Sequence, residues 1–311
     1  MLIRSRLARA FCACAAVSSL AIPVAAQTID DGIMVGRREF LTGNVYSHDS
    51  WDQYWEGALK RRNDNVGTIT TKTNVWYANY GVSRRLNVIG AVPYVWTNAS
   101  QGVLHGIQGF QDVTVAAKYA VLEGGSGAAG RLRAFAVAVA GVPMTDYNPE
   151  LPPLSIGSGS RRLSGRGTVN YETGPGWFVN GSAAYTWRSH VRLDRPYFYT
   201  NDEFVLSDEV DMPNVFDYIA SAGLMRPRLQ VSGFFAQQRT LGGGDIRRQD
   251  MPFVSNRMNV SRAGGRAMVP VPGLAGLEVD LSVAYAFRGR NVGQATTITT
   301  GLFYRFNRGA R

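Results

Sequence analysis

The nucleophilic and proton-transferring side chains of this sequence do not form a recognisable catalytic set. Its three histidines, His48, His105 and His190, all lie in or beside stretches with loop character. His190 directly follows Ser189, but adjacent residues of a strand point to opposite faces, so these two cannot act as a base and its nucleophile. The sequence has no His-Glu-x-x-His zinc motif and no phosphate-binding loop. We therefore expect no enzymatic activity, no cofactor and no bound metal.

Charged side chains instead recur at every second position of long apolar stretches. In residues 277–288 an apolar series beginning at Leu277 alternates with a series that contains Glu278 and Asp280. A period of two indicates a strand with one apolar and one polar face. Residues 112–121 and 177–188 repeat the pattern. These stretches exceed the usual five or six residues of a globular strand and are long enough to cross a bilayer at a tilt.

Twelve stretches qualify as strands, and the links between them alternate in length. The predicted strands are 35–46, 68–82, 86–97, 111–122, 131–142, 165–173, 177–189, 215–225, 229–239, 258–271, 277–288 and 295–306. Short and long links alternate strictly up to the last link, 289–294, as do the turns and external loops of outer-membrane barrels. We therefore predict an all-β fold, a transmembrane antiparallel up-and-down β-barrel of twelve strands. An even strand number places both termini on the periplasmic side.

Composition and charge exclude several other classes. The chain has 311 residues, of which 45% are hydrophobic and 18% charged, so it is too apolar for a disordered protein. No apolar run of about 18 residues occurs beyond the extreme N-terminus, which excludes a helical membrane protein. The net charge of +10 comes from basic residues scattered among the strands. A basic pore interior or attraction to an anionic membrane explains that charge better than binding of nucleic acid.

The first 26 residues have the pattern of a secretory signal peptide. Three arginines precede a short apolar stretch, and Val24, Ala25 and Ala26 supply small residues before Gln27. The sequence has two cysteines, Cys12 and Cys14, and both lie in this segment. The sequence thus predicts a signal peptide at 1–26, a single barrel domain at 27–311, and no disulfide or thiolate site in the exported chain.

Three segments leave alternatives open. Residues 27–66 could be a plug, a loop or a periplasmic extension, and within them residues 51–60 predict a short amphipathic helix in an external loop. The loop 190–214 is rich in carboxylates, which suits either a solvated external loop or a divalent cation site with oxygen ligands. The aromatic residues at 197–199 in that loop could guard the mouth of the barrel or simply pack the loop.

If the apolar faces meet lipid, the charged faces must point into the lumen. A charge facing hydrocarbon would cost ~2–4 kcal/mol at the middle of the membrane. The predicted lumen residues are Asp112, Lys118, Arg166, Glu172, Arg188, Asp217, Arg262, Arg266, Glu278, Asp280, Arg288 and Arg305. They could line a polar channel that selects solutes by charge and size, or they could pair and hold the barrel shut.

Counting back from the turns predicts the register of these charges. It places Arg266 opposite Ser282 and diagonal to Asp280. It places Arg305 opposite Glu278.

Four short motifs occur in the order and spacing of a known family. Gly109, Asp112, Lys118 and Tyr119 fit a Gly-x-Gly-Asp-x-x-x-x-x-Lys-Tyr signature. The other three motifs are Gly141-Val142-Pro143-Met144-Thr145, Gly157-Ser158-Gly159-Ser160 and Trp177-Phe178-Val179. Over roughly residues 66–306 the chain resembles the outer-membrane transporter-like family named for the meta-cleavage pathway of phenol degradation. It departs from the pattern where Gln111 replaces the second glycine and where Met144 interrupts a Pro-Thr pair.

The resemblance implies a bacterial outer-membrane barrel linked to uptake of hydrophobic or aromatic compounds. We therefore expect a passive outer-membrane channel or transporter for small solutes. Its partners would be outer-membrane lipid, the barrel-assembly machinery and the solute, with no nucleic acid, and the oligomeric state is left open. The alternative is a structural or adhesive barrel whose lumen is closed and whose external loops bind partners. Conductance separates the two, because only an open lumen passes ions.

Overall fold

The computed structural model describes residues 28–125, 130–248 and 250–306. Twelve long strands form one antiparallel sheet in which each strand pairs with its neighbours in the sequence. They are β1 (Phe40–Trp51), β2 (Ile69–Gly81), β3 (Leu86–Ala99), β4 (Asp112–Gly124), β5 (Arg131–Pro143), β6 (Arg162–Glu172), β7 (Trp177–Arg188), β8 (Val215–Arg226), β9 (Leu229–Thr240), β10 (Asn259–Pro270), β11 (Leu277–Arg290) and β12 (Thr296–Phe306). β1 also pairs with β12, from Phe40 opposite Phe306 to Ser50 opposite Thr296, and this closes the barrel. The predicted fold is confirmed.

The two ends of the barrel differ in the length of their links, as predicted. At one end, here called the short-turn end, the links are 82–85, 125–130, 173–176, 227–228 and 271–276. At the other, the loop end, they are 52–68, 100–111, 144–161, 189–214, 241–258 and the shorter 291–295. β1 begins and β12 ends at the short-turn end.

The long loops carry short strands of their own. They form three two-stranded antiparallel sheets, Gln53–Glu56 with Leu59–Arg62, Val191–Arg192 with Glu209–Val210, and Phe198–Thr200 with Glu203–Val205. A further strand, Gln108–Phe110, pairs with the part of β3 that lies beyond the residues of β3 paired with β4. No helix that could cross a membrane is found among the described residues.

Alternation along the strands separates an apolar outer face from a polar inner one. On β11, Leu281 and Val283 are each 51% exposed, whereas Glu278 and Asp280 are 4% and 5% exposed. Closing the sheet brings all inner faces together, so alternate positions become buried while the others stay on the outside. The outer face is apolar and the inner face carries the charges, as the period-two pattern predicted.

Eleven strands begin and end within three residues of their predicted bounds, and β1 is the exception. It spans Phe40–Trp51, whereas the alternation predicted 35–46. Residues 36–39 form a turn, in which Arg38 has a φ of 64° and the Glu39 N–H donates to the Gly36 carbonyl at 3.0 Å. The chain therefore turns before it joins the barrel wall, and residues 35–39 lie outside the strand.

The amphipathic helix predicted at 51–60 is wrong. That segment is the hairpin Gln53–Glu56 with Leu59–Arg62, and Gly57 at its turn has a φ of 52°. A two-residue turn of this kind needs positive φ, which glycine adopts without steric cost. Trp55 is buried, and its backbone N–H donates to the Val292 carbonyl at 2.9 Å. The hairpin thus belongs to the loop end, which agrees with the predicted external position.

Candidate functional site in the barrel lumen

Several predicted lumen charges form ion pairs, either between paired strands or across one intervening strand. Arg266 donates to both carboxylate oxygens of Asp280, at 2.8 and 2.9 Å. Arg266 is opposite Ser282, so the predicted register of this hairpin is confirmed. Arg166 donates to Asp217 at 2.5 Å and to Ser182 at 3.0 Å. Paired guanidinium and carboxylate groups satisfy each other's hydrogen bonds, and the two pairs add no net charge to the lumen.

A second group of charges lies near the short-turn end. Glu172 accepts from Arg133 at 2.6 Å, and Arg133 was absent from the predicted set. Arg305 lies 3.9 Å from Glu278 and 3.8 Å from Glu39.

The register predicted for Arg305 is wrong. Glu278 is opposite Phe303, so Arg305 lies two residues further along the same face. The β11–β12 link is centred one residue earlier than predicted, where Asn291 has a φ of 55°. Moving the centre of a hairpin by one residue shifts the register by two and keeps the same faces together.

Two of the predicted residues anchor loops at the loop end. Asp112 is 1% exposed, accepts from the Tyr147 hydroxyl at 2.6 Å and lies 3.6 Å from Arg162. Burial and the neighbouring carboxylate raise the pKa of Tyr147, which therefore stays protonated and donating. Arg188 donates through Nε to the Pro213 carbonyl at 2.7 Å. These contacts hold the loops 144–161 and 189–214 over the mouth of the barrel.

Arg262 and Arg288 lie on different faces. Arg262 is opposite Ala236 and Ala286, and it is exposed without an ion pair to any residue that the structure describes. A shift in register between Ser261 and Arg262 puts Arg288 opposite Ser261. Arg262 thus shares the inner face with Ala286, which is completely buried. Arg288 shares the opposite face with Ser261 and lines a cavity of about 430 Å³ at the loop end, so it does not join the other predicted charges in the lumen.

Lys118 meets a part of the chain that does not belong to the barrel wall. Its side chain is completely buried, and Nζ donates to the carbonyl oxygens of Thr28 and Asp31 at 2.8 Å each and to Asp31 Oδ1 at 2.7 Å. On the far side, Asn180 Nδ2 donates to the Asp30 carbonyl at 2.8 Å. Residues 28–39, here called the N-terminal segment, therefore lie inside the barrel before the chain enters β1.

Apolar contacts hold the N-terminal segment as well. Val35 is 1% exposed and packs with Leu41, Met268 and Phe303 from three strands. Ile29 packs against a second buried cluster, formed by Ile89, Ala116, Val137 and Val139. The segment thus fills part of the lumen near the short-turn end with groups that match the wall.

A cavity of about 350 Å³ remains between the N-terminal segment and the wall, and we call it the lumen chamber. Four aromatic side chains line it, Tyr77, Phe178, Phe234 and Phe303. The Arg266–Asp280 pair and several hydroxyl and amide groups supply its polar lining, from Ser221, Ser232, Ser282, Thr299, Asn170 and Asn180. The charge-based prediction missed the aromatic residues. Phe178 and Phe303 could have been found, because they fall in the polar phase of their strands.

A larger cavity of about 670 Å³ lies among the loops 144–161, 189–214 and 241–258, and we call it the vestibule. Its charges are paired, as in Arg195 with Glu150 at 2.6 Å and Arg247 with Asp202 at 2.6 Å. In the 189–214 loop the predicted aromatic residues Tyr197 and Tyr199 pack on Phe204, with ring centres 5.5 and 5.2 Å apart. No three metal-ligating side chains come together in the described ranges.

Comparison with known proteins identifies the family. The model of the family described as "Putative MetA-pathway of phenol degradation" matches residues 60–302. The chain belongs to this family. It is the family that the motifs around Asp112 and Lys118 resemble, and no curated protein matches the sequence.

One of three solved structures compared with this family member has the same fold. The COG4313 outer membrane channel from Pseudomonas putida F1 superposes with a TM-score of 0.70 at 13% identity, over 91% of this chain and 100% of that one. The translocator domain of autotransporter NalP from Neisseria meningitidis gives a TM-score of 0.46 at 11% identity, over 88% and 90%. The CymD monoaromatic hydrocarbon channel gives 0.43 at 10% identity, over 89% and 90%. The first shows the same barrel fold, and the other two are too dissimilar to support an argument.

Proposed function

We propose that this protein is a passive outer-membrane channel for small neutral solutes, and that monocyclic aromatic compounds with a hydrogen-bonding substituent are its preferred load. The observation that carries the proposal is the lumen chamber. Its aromatic walls offer stacking partners, and its hydroxyl and amide groups offer hydrogen bonds to a polar substituent. The family's description and the solved outer membrane channel with the same fold are consistent with this function.

Charge pairing favours a neutral solute over an ion. Arg266 with Asp280 and Arg166 with Asp217 leave these positions without net charge. A carboxylate or ammonium group would have to give up water without gaining an unpaired partner there, whereas a neutral ring loses little hydration. The vestibule repeats the arrangement, because its arginines are also paired.

The proposed path runs from the vestibule through the barrel to the lumen chamber and out at the short-turn end, which faces the periplasm. Movement follows the concentration gradient and uses neither ATP nor a cofactor. We further infer that residues 1–26 direct export and are removed, and that the barrel-assembly machinery inserts the chain among outer-membrane lipids.

One observation favours the alternative of a closed, structural barrel. The N-terminal segment occupies the lumen near the short-turn end and is held by Lys118 and Asn180. A barrel that stays closed would not conduct, and the loops would then be the place to look for function.

The test of the chamber is a matched pair of phenylalanine variants on β9. Phe234 lines the lumen chamber, whereas Phe235 lies on the outer face against Phe287, with ring centres 6.0 Å apart. Phenol added to a single-channel recording should interrupt the current while it occupies the chamber. An aromatic contact contributes ~0.5–1.5 kcal/mol, so Phe234→Ala should shorten these interruptions about 2- to 12-fold. Phe235→Ala should leave them unchanged, and equal effects of the two variants would refute the chamber as the solute site.

A further inference from the structure

We propose that residues 28–36 form a releasable plug that closes the short-turn end of the lumen, and that Lys118 is the latch that holds it. The proposal rests on the proposed channel function, because a plug has a role only in a barrel that can open. With a releasable plug, the barrel whose lumen is occupied is the closed state of the channel and no longer an observation against conduction.

The plug can leave without disturbing the barrel wall. Within the described residues no strand pairing includes 28–36, and the backbone contacts to β2 begin only at the base of the segment. There the Arg38 N–H donates to the Gly81 carbonyl at 2.7 Å, and the Gly81 N–H donates to the Glu39 carbonyl at 3.0 Å. Above this base, side chains of the wall hold the segment. Release of the segment breaks a few side-chain hydrogen bonds, the Lys118–Asp31 ion pair and the apolar contacts of Ile29 and Val35, but no sheet hydrogen bond.

The wall is shaped to receive the plug. Gly32 faces Asn170 so closely that a Cβ added to the glycine would lie 2.4 Å from the Asn170 Cβ. A Cβ added to Gly81 would lie 1.9 Å from the Gly36 carbonyl oxygen. In the amide orientation that satisfies both of its atoms, Asn87 accepts from the Val35 N–H at 2.7 Å and donates to its carbonyl at 3.1 Å. A glycine lies at each of these two close approaches, which an incidental contact between the segment and the wall would not require.

Lys118 gives the strongest reason to regard the plug as a built component. All three of its hydrogen-bond acceptors come from Thr28 and Asp31. Its ammonium group also lies over the Phe135 ring, 5.0 Å from the ring centre. A buried ammonium group without acceptors is strongly unfavourable, so this position of β4 depends on the plug or on water that replaces it.

The position of the plug links its release to the solute. Residues Thr28, Asp30, Asp31, Gly32 and Ile33 line the lumen chamber. A solute that enters the chamber therefore contacts the plug before it can leave. Withdrawal of the plug opens the chamber toward the short-turn end, and re-seating closes it.

A reversible lock tests the plug directly. The native cysteines lie at positions 12 and 14, so a chain expressed from residue 27 has no thiol of its own. The double variant Gly32→Cys/Asn170→Cys places two thiols at the close contact between the plug and β6. A disulfide needs a Cβ–Cβ distance of about 3.8 Å, so position 32 must move away from position 170 by about 1.4 Å for the bond to form. The oxidised protein should show no conductance steps in a planar bilayer, and reductant should restore them.

Deletion and latch variants complete the experiment. A chain lacking residues 28–34 should stay open for a far larger fraction of the time than the chain that begins at residue 27. Lys118→Met should raise the open fraction about tenfold, the equivalent of one charged hydrogen bond. Lys72→Met is the matched control, because Lys72 is exposed on β2 and its removal should change nothing.

The outcomes separate the plug from the channel. If the chain from residue 27 and the deletion variant conduct equally, or if oxidation of the double variant leaves conductance unchanged, the plug is refuted and the channel function stands. If neither chain conducts although circular dichroism shows a folded barrel, the proposed channel function fails and the plug fails with it. Closure by oxidation with recovery on reduction supports both.

Discussion

Breaking the Arg266–Asp280 pair from either side should change the ion selectivity of the open channel in opposite directions. The pair is bidentate, at 2.8 and 2.9 Å, and it lines the lumen chamber. Arg266→Gln leaves the carboxylate of Asp280 unpaired and should favour cations. Asp280→Asn leaves the guanidinium of Arg266 unpaired and should favour anions.

The magnitude follows from the distance between the exposed charge and a passing ion. At about 7 Å, one unit charge contributes ~0.6 kcal/mol in bulk water and ~2.4 kcal/mol at an effective dielectric constant of ~20. These values correspond to changes of about 3-fold and about 60-fold in the permeability of one ion. Because the charge attracts one ion and repels the other, the ratio of cation to anion permeability changes by the squares of these factors. Because Arg266 is partly exposed, at 23%, whereas Asp280 is buried, at 6%, we expect a result between these limits.

The assay is the reversal potential across a planar bilayer with a salt gradient, measured on open events. The matched controls are Arg192→Gln and Glu209→Gln, which break a pair of the same chemistry, at 2.8 Å, in the exposed 189–214 loop. Those variants should leave the reversal potential within error of the parent. If both lumen variants shift it in the same direction, or if neither shifts it, ions do not pass this pair and the assignment of the lumen is refuted.

Three further predictions concern the loops and the outer face. Tyr147→Phe removes the hydroxyl that donates to Asp112 at 2.6 Å, which should cost about 1 kcal/mol and make loop 144–161 more sensitive to protease in folded protein. The hydrogen bond from Arg290 lowers the pKa of Asp245, so this contact is fully present above pH 3.8, the ordinary pKa of the group, and is lost as the pH falls through the lowered value. The protease sensitivity of loop 241–258 should therefore stay constant from pH 7 to pH 4. Asp245→Asn lacks the charged contact and should show, already at pH 7, the higher protease sensitivity that the parent acquires in acid. Leu281→Arg puts a charge on the apolar outer face and should lower the free energy of unfolding of refolded barrels by ~2–4 kcal/mol, measured by denaturant titration, whereas an unchanged midpoint would contradict the assigned face.

Strand number, strand bounds and inner and outer faces could be predicted because a membrane barrel imposes them locally. Each strand must be long enough to span the bilayer and must alternate with period two, and both properties are visible in stretches such as 277–288. The register of a hairpin follows from its turn, which is why Arg266 and Ser282 were placed correctly. Where the turn was misjudged by one residue, as between β11 and β12, the register moved by two while Glu278 and Arg305 kept the same face.

The contents of the lumen could not be predicted in the same way. The partner of Lys118 is Asp31, 87 residues away, and no local pattern links them. Residues 35–39 were predicted to be part of β1, but Val35 is buried inside the barrel and residues 36–39 turn the chain before the strand begins. The hairpin of Gln53–Glu56 with Leu59–Arg62 has the spacing of an amphipathic helix, but it forms strands because Gly57 turns the chain and Trp55 packs on the link after β11.

Single-channel recording with an aromatic solute tests the central claim most directly. The chain from residue 27 and the chain lacking residues 28–34 would be refolded and inserted into planar bilayers, with phenol added to one side. We predict discrete conductance steps, more frequent in the deletion variant, which neutral phenol interrupts in a concentration-dependent manner. Stable insertion of both folded chains without any steps would contradict the account and would identify the barrel as a closed scaffold for its external loops.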